Sequence, residues 1–185
     1  MTMKEPRLLT KYRKEVAPAM QAKFSYKSVM AIPKIEKIIL NVGTGKAAVA
    51  KEQKLMDKIE QDLTKITGQK PSVRKSKKSI SGFKVREGMD VGKMVTLRGR
   101  RMYDFMDRLI SVALPRSRDF HGLDAKSFDK SGNFNMGIKE QNIFPEVAYE
   151  SLKDIFGLQI TVTTTAKNKE EGRELLSLIG FPIKN

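Results

Sequence analysis

Hydrophobic and polar positions change period several times along this chain. Leu8, Leu9, Tyr12, Val16, Met20 and Phe24 recur at helical spacing, and Pro18 among them predicts two helical pieces or one kinked helix. Pro33 closes the segment. Over residues 35–43 the period drops to two: Ile38, Leu40 and Val42 point one way, Lys37, Ile39 and Asn41 the other. That is a strand with one apolar and one mixed side. The helical period returns over 47–67, where Met56, Ile59, Leu63 and Ile66 form one stripe and Gly68 supplies the stop. Residues 69–90 are basic, with Ser and Gly and little apolar periodicity, which predicts short strands around a long exposed loop.

Alternation resumes over 91–98, with Val91, Val95 and Leu97 opposed to Met94, Thr96 and Arg98. A second amphipathic helix is expected over 100–114 through Met102, Phe105, Met106, Leu109, Ile110, Ala113 and Leu114, ended by Pro115. The stretch from 116 to 146 is rich in Gly, Asp, Asn and Ser and holds only a short strand at Phe134, Met136 and Ile138. Loops that long are usually functional. Residues 158–165 read as a strand with Leu158, Ile160 and Val162 inward and Gln159, Thr161 and Thr163 outward; Lys169 to Ile179 reads as a terminal helix.

Strands with one apolar side, loosely alternating with helices, predict an α+β fold whose sheet is covered by helices on one face. The other face collects Ile39, Asn41, Thr96, Arg98, Gln159, Thr161 and Thr163. With no internal repeat and no long linker, a single domain over 1–185 is expected, with an exposed basic loop near 73–84 and a long loop region near 116–146.

Composition narrows the chemistry. The chain has no Cys and one His among 185 residues, which removes thiolate metal sites and Cys nucleophiles and leaves His121 without the company a His-based triad or metal site needs. No catalytic residue, metal site or cofactor is expected. No apolar run approaches the roughly 18 residues of a membrane span, and the first residues lack a signal-like apolar core, so a cytoplasmic protein without a membrane partner is expected. The net charge is +15 and unevenly placed: residues 70–101 hold eleven bases and two acids, whereas 102–185 hold eleven bases and twelve acids. Excess of that size on one stretch suits a polyanionic partner; a generally basic, solvated surface is the alternative.

Three local patterns bear on function. Gly43-Thr44-Gly45-Lys46 joins a strand to a helix, but Leu40 stands where a phosphate-binding loop needs its first Gly, and Ala47 follows the Lys. The turn is either ordinary geometry or a place for an anion such as a backbone phosphate. The run Arg74-Lys75-Ser76-Lys77-Lys78-Ser79 suits a phosphate backbone that is tracked rather than base-read; a solvated charged loop or a membrane-binding segment competes, the latter without an amphipathic helix to support it. Asp119, His121 and Asp124 resemble an acid/base cluster, although loop capping explains them better. The outward strand positions carry no aromatic pair for stacking bases, which points to recognition of a structured RNA by hydrogen bonds and shape. Phe83, Phe134 and Phe144 lie in expected loops as local anchors.

Five segments, IEKIILNVGTG (35–45), ITGQKPSVRKSKKSISGFKVREGM (66–89), VTLRGRRMYDFMDRLISVALPRSRDF (95–120), GNFNMGIKEQNIFPE (132–146) and ITVTTTAK (160–167), resemble in order the bacterial large-subunit ribosomal protein five family. Arg74 and His121 depart from the residues usual there. The resemblance implies an antiparallel sheet with helices on one side and a structural protein of the ribosomal central protuberance. Its implied partners are 5S rRNA, large-subunit rRNA, the P-site tRNA, a small-subunit head protein and neighbouring central-protuberance proteins. It implies Asn41, Gly43, Gly45, Gln69, Thr96 and Arg98 for 5S rRNA; Lys75, Lys77, Lys78 and Ser79 for tRNA; and Gly137, Gln141, Asn142 and Glu146 for an inter-subunit bridge. A general RNA chaperone and an enzyme using the Gly43–Lys46 turn on a phosphorylated ligand are the rival readings.

Overall fold

The computed structural model describes residues 5–117, 120–147 and 155–184. Five strands, β1 (Ile35–Gly43), β2 (Ser72–Lys75), β3 (Asp90–Leu97), β4 (Phe134–Ile138) and β5 (Leu158–Thr164), form one antiparallel sheet in the order β2-β3-β1-β5-β4. With helices added, this is the α+β architecture that the sequence pattern predicts. The alternation is borne out in burial: Ile38, Leu40, Val42, Val95, Leu97, Leu158, Ile160 and Val162 are buried, and their strand neighbours Asn41, Thr96, Gln159 and Thr161 are partly or fully exposed.

The chain divides into two compact units, one drawn from residues 1–38, 97–136 and 161–185, the other from 39–96 and 137–160. In the first, helical segments Arg7–Lys11, Tyr12–Val16 and Ala17–Phe24 run on without a break. Lys11 donates from Nζ to the carbonyl of Ile179 at 3.0 Å, at the end of the Lys169–Ile179 helix, and Arg7 pairs with Asp107 of the Gly99–Arg108 helix. A cation at a helix C-terminus both satisfies a leftover carbonyl and complements the helix dipole. Phe134 packs against Phe128 in a tilted pair and meets Phe181 edge-on, at centroid separations of 4.8 and 6.0 Å.

Of the two alternatives at Pro18 the split gives way, and so does the expected stop at Pro115, for one shared reason. Pro18 neither splits nor ends its helix, and the second amphipathic helix continues through Pro115 to Arg116. In both places a π turn precedes the proline, at Tyr12–Val16 and Leu109–Ala113, and the residue just before the proline bonds five residues back: Ala17 to the carbonyl of Tyr12, Leu114 to that of Leu109. A proline has no N–H and its ring collides with the carbonyl four residues earlier; a wider turn moves that carbonyl aside.

In the second unit the expected 47–67 helix is two helices, Gly45–Val49 and Gln53–Thr67. Between them Lys51 adopts a left-handed φ of 57°, a conformation that ends a helix. Ala47, Ala48 and Met56 then make a small core of their own, with Leu55 and Met89 against it. Gly68 closes the longer helix at φ 67°, and its N–H bonds the carbonyl of Thr64.

Candidate nucleic-acid interface

Unit 39–96 with 137–160 carries most of the residues that the sequence singles out. On β1, Asn41 and Gly43 are exposed. Thr96 is half-buried on β3, and Gln69, in the segment that leads into β2, donates from its amide to the Thr96 carbonyl at 3.4 Å. The structure therefore brings Gln69 and Thr96 together. Ser72 lies opposite Met94 and Arg74 opposite Gly92, and Arg74 reaches the Met94 sulfur at 3.5 Å. Arg98 is exposed and stands at the N-cap of the Gly99–Arg108 helix, in the other unit.

The Gly43–Gly45 turn is pinned by the residue between its glycines. Thr44 is buried, donates its N–H to the Val91 carbonyl at 2.9 Å, and donates its hydroxyl to the Asp90 carbonyl at 3.4 Å. A Cβ built on Gly43 or Gly45 would meet nothing within 4 Å, and neither glycine has a positive φ. Packing and backbone geometry thus do not demand glycine at either position, and the bare backbone of the turn is open to approach from outside.

The basic loop is held by its own hydrogen bonds. Ser76 donates its N–H to Met89 at 2.8 Å and accepts from Gly88 at 3.0 Å, and Ile80 and Val85 exchange bonds of 2.9 and 3.2 Å. Lys75, Lys77 and Lys78 stand around this frame, and all three are exposed. Ser79, expected among the contact residues, accepts from the Glu87 N–H at 2.9 Å through its hydroxyl, so it braces the loop. Phe83 is not a local anchor: it is 73% exposed, whereas Phe134 and Phe144 are buried as expected.

One charged residue of the same strand faces inward. Lys93 is 4% exposed and pairs with Glu60 on the Gln53–Thr67 helix; Lys70 also lies 3.5 Å from that carboxylate. The hydrogen bond from Lys93, reinforced by the charges of Lys93 and Lys70, holds the Glu60 carboxyl below its ordinary range, against a smaller opposing effect of burial. Lys93 occupies an inward position of β3, between Val91 and Val95, and only the period-two pattern signals it.

Of the residues expected at a protein contact, Gly137 is exposed and Asn142 half-buried with its amide on Glu140 at 2.8 Å. Glu146 is half-buried. Gln141 is 4% exposed and its side-chain carbonyl accepts from the Phe156 N–H at 2.8 Å, so it shapes the segment and offers little surface to a partner. In the other unit, Thr161 donates to Asn135 at 2.6 Å, a pairing across strands that spacing alone does not reveal. Asp124 caps the turn at Ala125–Ser127 by accepting from Lys126 at 2.8 Å, as loop capping requires; Asp119 lies outside the described residues.

An exposed polar strand side, an open glycine turn and a cationic loop are the parts of a nucleic-acid surface. Family comparison agrees: residues 28–86 match the model described as Ribosomal protein L5, and residues 90–183 match the model of that family's C-terminus. The chain belongs to the ribosomal protein L5 family. As an L5 family member it is a structural constituent of the large ribosomal subunit, an rRNA-binding protein of the ribonucleoprotein particle that carries out translation in the cytoplasm. Family membership also sets the expectation for chemistry, because ribosomal proteins of this kind are generally non-enzymatic.

Proposed function

We propose that this L5 family protein holds 5S rRNA on the large subunit, with Asn41, Gly43, Gly45, Gln69, Thr96 and Arg98 facing it, and that the loop bearing Lys75, Lys77 and Lys78 contacts the P-site tRNA. The observation that carries the first part is the Gly43–Gly45 turn, open on both glycines beside exposed Asn41. Hydrogen-bonding groups on a pinned turn and a rigid strand select an RNA shape, and the surrounding cations supply affinity that falls with salt. Binding proceeds without turnover. The segment from Gly137 to Glu146, with Asn142 at its surface, is the proposed contact to a small-subunit head protein. Its charges, Lys139, Glu140 and Glu146, suit protein better than phosphate.

Filter binding to 5S rRNA tests this. If about six phosphates are neutralised, the log–log dependence of affinity on salt has a slope near about −5 by the duplex relation. A slope near zero, or equal affinity for an unrelated RNA of the same length at moderate salt, would refute the reading; the latter result is what a general RNA chaperone gives.

A further inference from the structure

Phe83 is the one large aromatic ring among the described residues that the fold leaves in water, at 73% exposure, with Ile80 near it in sequence at 49%. Its exposure is built in. Phe83 closes the turn Ser81–Phe83 by donating its N–H to the Ile80 carbonyl at 3.3 Å, Lys84 donates to Ser81 at 2.9 Å, and Ile80 and Val85 bond each other on either side. Lys84 takes a left-handed φ of 53° to complete the turn, a conformation that costs a residue with a Cβ. The backbone that carries the ring is thus already ordered, so covering the ring costs little backbone freedom.

What covers it must also suit its surroundings. Residues 74–86 contain six cations, Arg74, Lys75, Lys77, Lys78, Lys84 and Arg86, and no acid. An apolar protein pocket would strand those charges; a polyanion without flat apolar faces would leave the ring in water. RNA supplies both, phosphates for the cations and base faces for the ring. We propose that Phe83 is a stacking platform for an unpaired or helix-terminal RNA base, a contact that the aromatic-free sheet side of β1 and β3 cannot make. This rests on the reading of the loop as RNA-facing and names the chemistry by which it would read its partner.

The sequence contains no Trp, so Phe83→Trp introduces a single indole at the tip, and the exposure of the ring lets it fold as the wild type does, which a thermal melt checks. The variant is titrated with deacylated tRNA and with 5S rRNA, with heparin as a polyanion that has no bases, and with vesicles of phosphatidylserine and phosphatidylcholine. Stacking predicts quenching of indole emission by at least one of the RNAs and none by heparin. It also predicts that Phe83→Ala weakens that RNA roughly 5- to 150-fold with an unchanged salt slope, while Phe83→Trp retains affinity. Wild-type affinity in Phe83→Ala, equal quenching by heparin, or an emission shift with vesicles alone would overturn the inference. If wild-type protein binds neither RNA, the proposed function fails first; if it binds both and the indole is unquenched, only the stacking contact fails.

Discussion

Replacing Glu60 by Met tests whether the ammonium under β3 depends on its carboxylate. Met preserves length and helix propensity on the Gln53–Thr67 helix while removing both the charge and the acceptor. The Lys93 side chain is 6% exposed and the Glu60 side chain 27%, so the variant leaves a cation almost wholly out of water without the acid that pairs with it. Breaking a buried pair from one side costs about 3–5 kcal/mol, and the partial exposure of Glu60 places this case near the lower end, about 3 kcal/mol. For a chain of this size that lowers Tm by about 6–12 °C. The double variant Glu60→Met, Lys93→Met replaces the pair with two packed thioethers and should return to within about 1 kcal/mol of wild type, because the Coulombic gain of a buried pair largely offsets its desolvation.

Acid adds a second readout. The Glu60 carboxyl has a folded pKa below its ordinary 4.5, so its stabilisation is fully present above the unfolded value and is lost as pH falls through the folded one. Urea melts from neutral pH down through that window should show this part of the acid loss in wild type and none of it in Glu60→Met. A single variant within about 1 kcal/mol of wild type at neutral pH, or one that keeps the whole wild-type acid limb, would refute the dependence of Lys93 on Glu60. RNA affinity per folded molecule should stay unchanged, since the pair is engaged with itself beneath the strand.

Two further outcomes follow from local geometry and charge. Gly172→Ala adds a good helix former to the Lys169–Ile179 helix, worth up to about 1 kcal/mol, but its Cβ would overlap the backbone carbonyl of Gly132; a net loss of about 1–2 kcal/mol in chemical denaturation is expected, and a more stable variant would contradict that close packing. Lys77→Ala with Lys78→Ala should leave 5S rRNA affinity and its salt slope near wild type while reducing the tRNA salt slope by about 2, measured by filter binding; a large loss on 5S rRNA instead would show that the two surfaces are not separate.

Period-two alternation carried the sheet, because burying one side of a strand leaves its mark on every second residue: Ile38, Leu40, Val42 and Leu158, Ile160, Val162 are all buried. Hydrophobic periodicity was less able to show where backbone events interrupt it. Pro18 reads as a split or a kink and Pro115 as a stop, yet a π turn lets the helix pass each, and nothing in side-chain pattern reports a carbonyl moved by one register. The stop at Lys51 was hidden for the opposite reason, since a left-handed lysine leaves no compositional trace. At the proposed interface, the glycines of the turn and the cations of the loop were legible by type and spacing. The inward bond of Gln141, the bracing role of Ser79 and the exposure of Phe83 depend on tertiary packing and hydrogen bonding that no linear pattern encodes.

The charge of the 70–101 segment also reads differently once its side chains are placed. Of its eleven cations, Lys93 is buried on Glu60, Lys70 shares that carboxylate, and Arg100 lies 3.5 Å from Asp104. The other eight have no acid partner among the described residues: Arg74, Lys75, Lys77, Lys78, Lys84, Arg86, Arg98 and Arg101. Counterion release counts phosphates engaged rather than formal charge, so this segment alone supports a salt slope no steeper than about −7 by the duplex relation. Divided, as proposed, between a loop that meets tRNA and a strand side that meets 5S rRNA, it would supply less to either RNA. A measured 5S rRNA slope steeper than that bound would require cations from elsewhere, and residues 1–40, with nine bases and three acids, are the other stretch with a large excess. Neutralising Arg98 and Arg101 should then leave most of such a slope in place, whereas under the segment-only account it should fall by about 2.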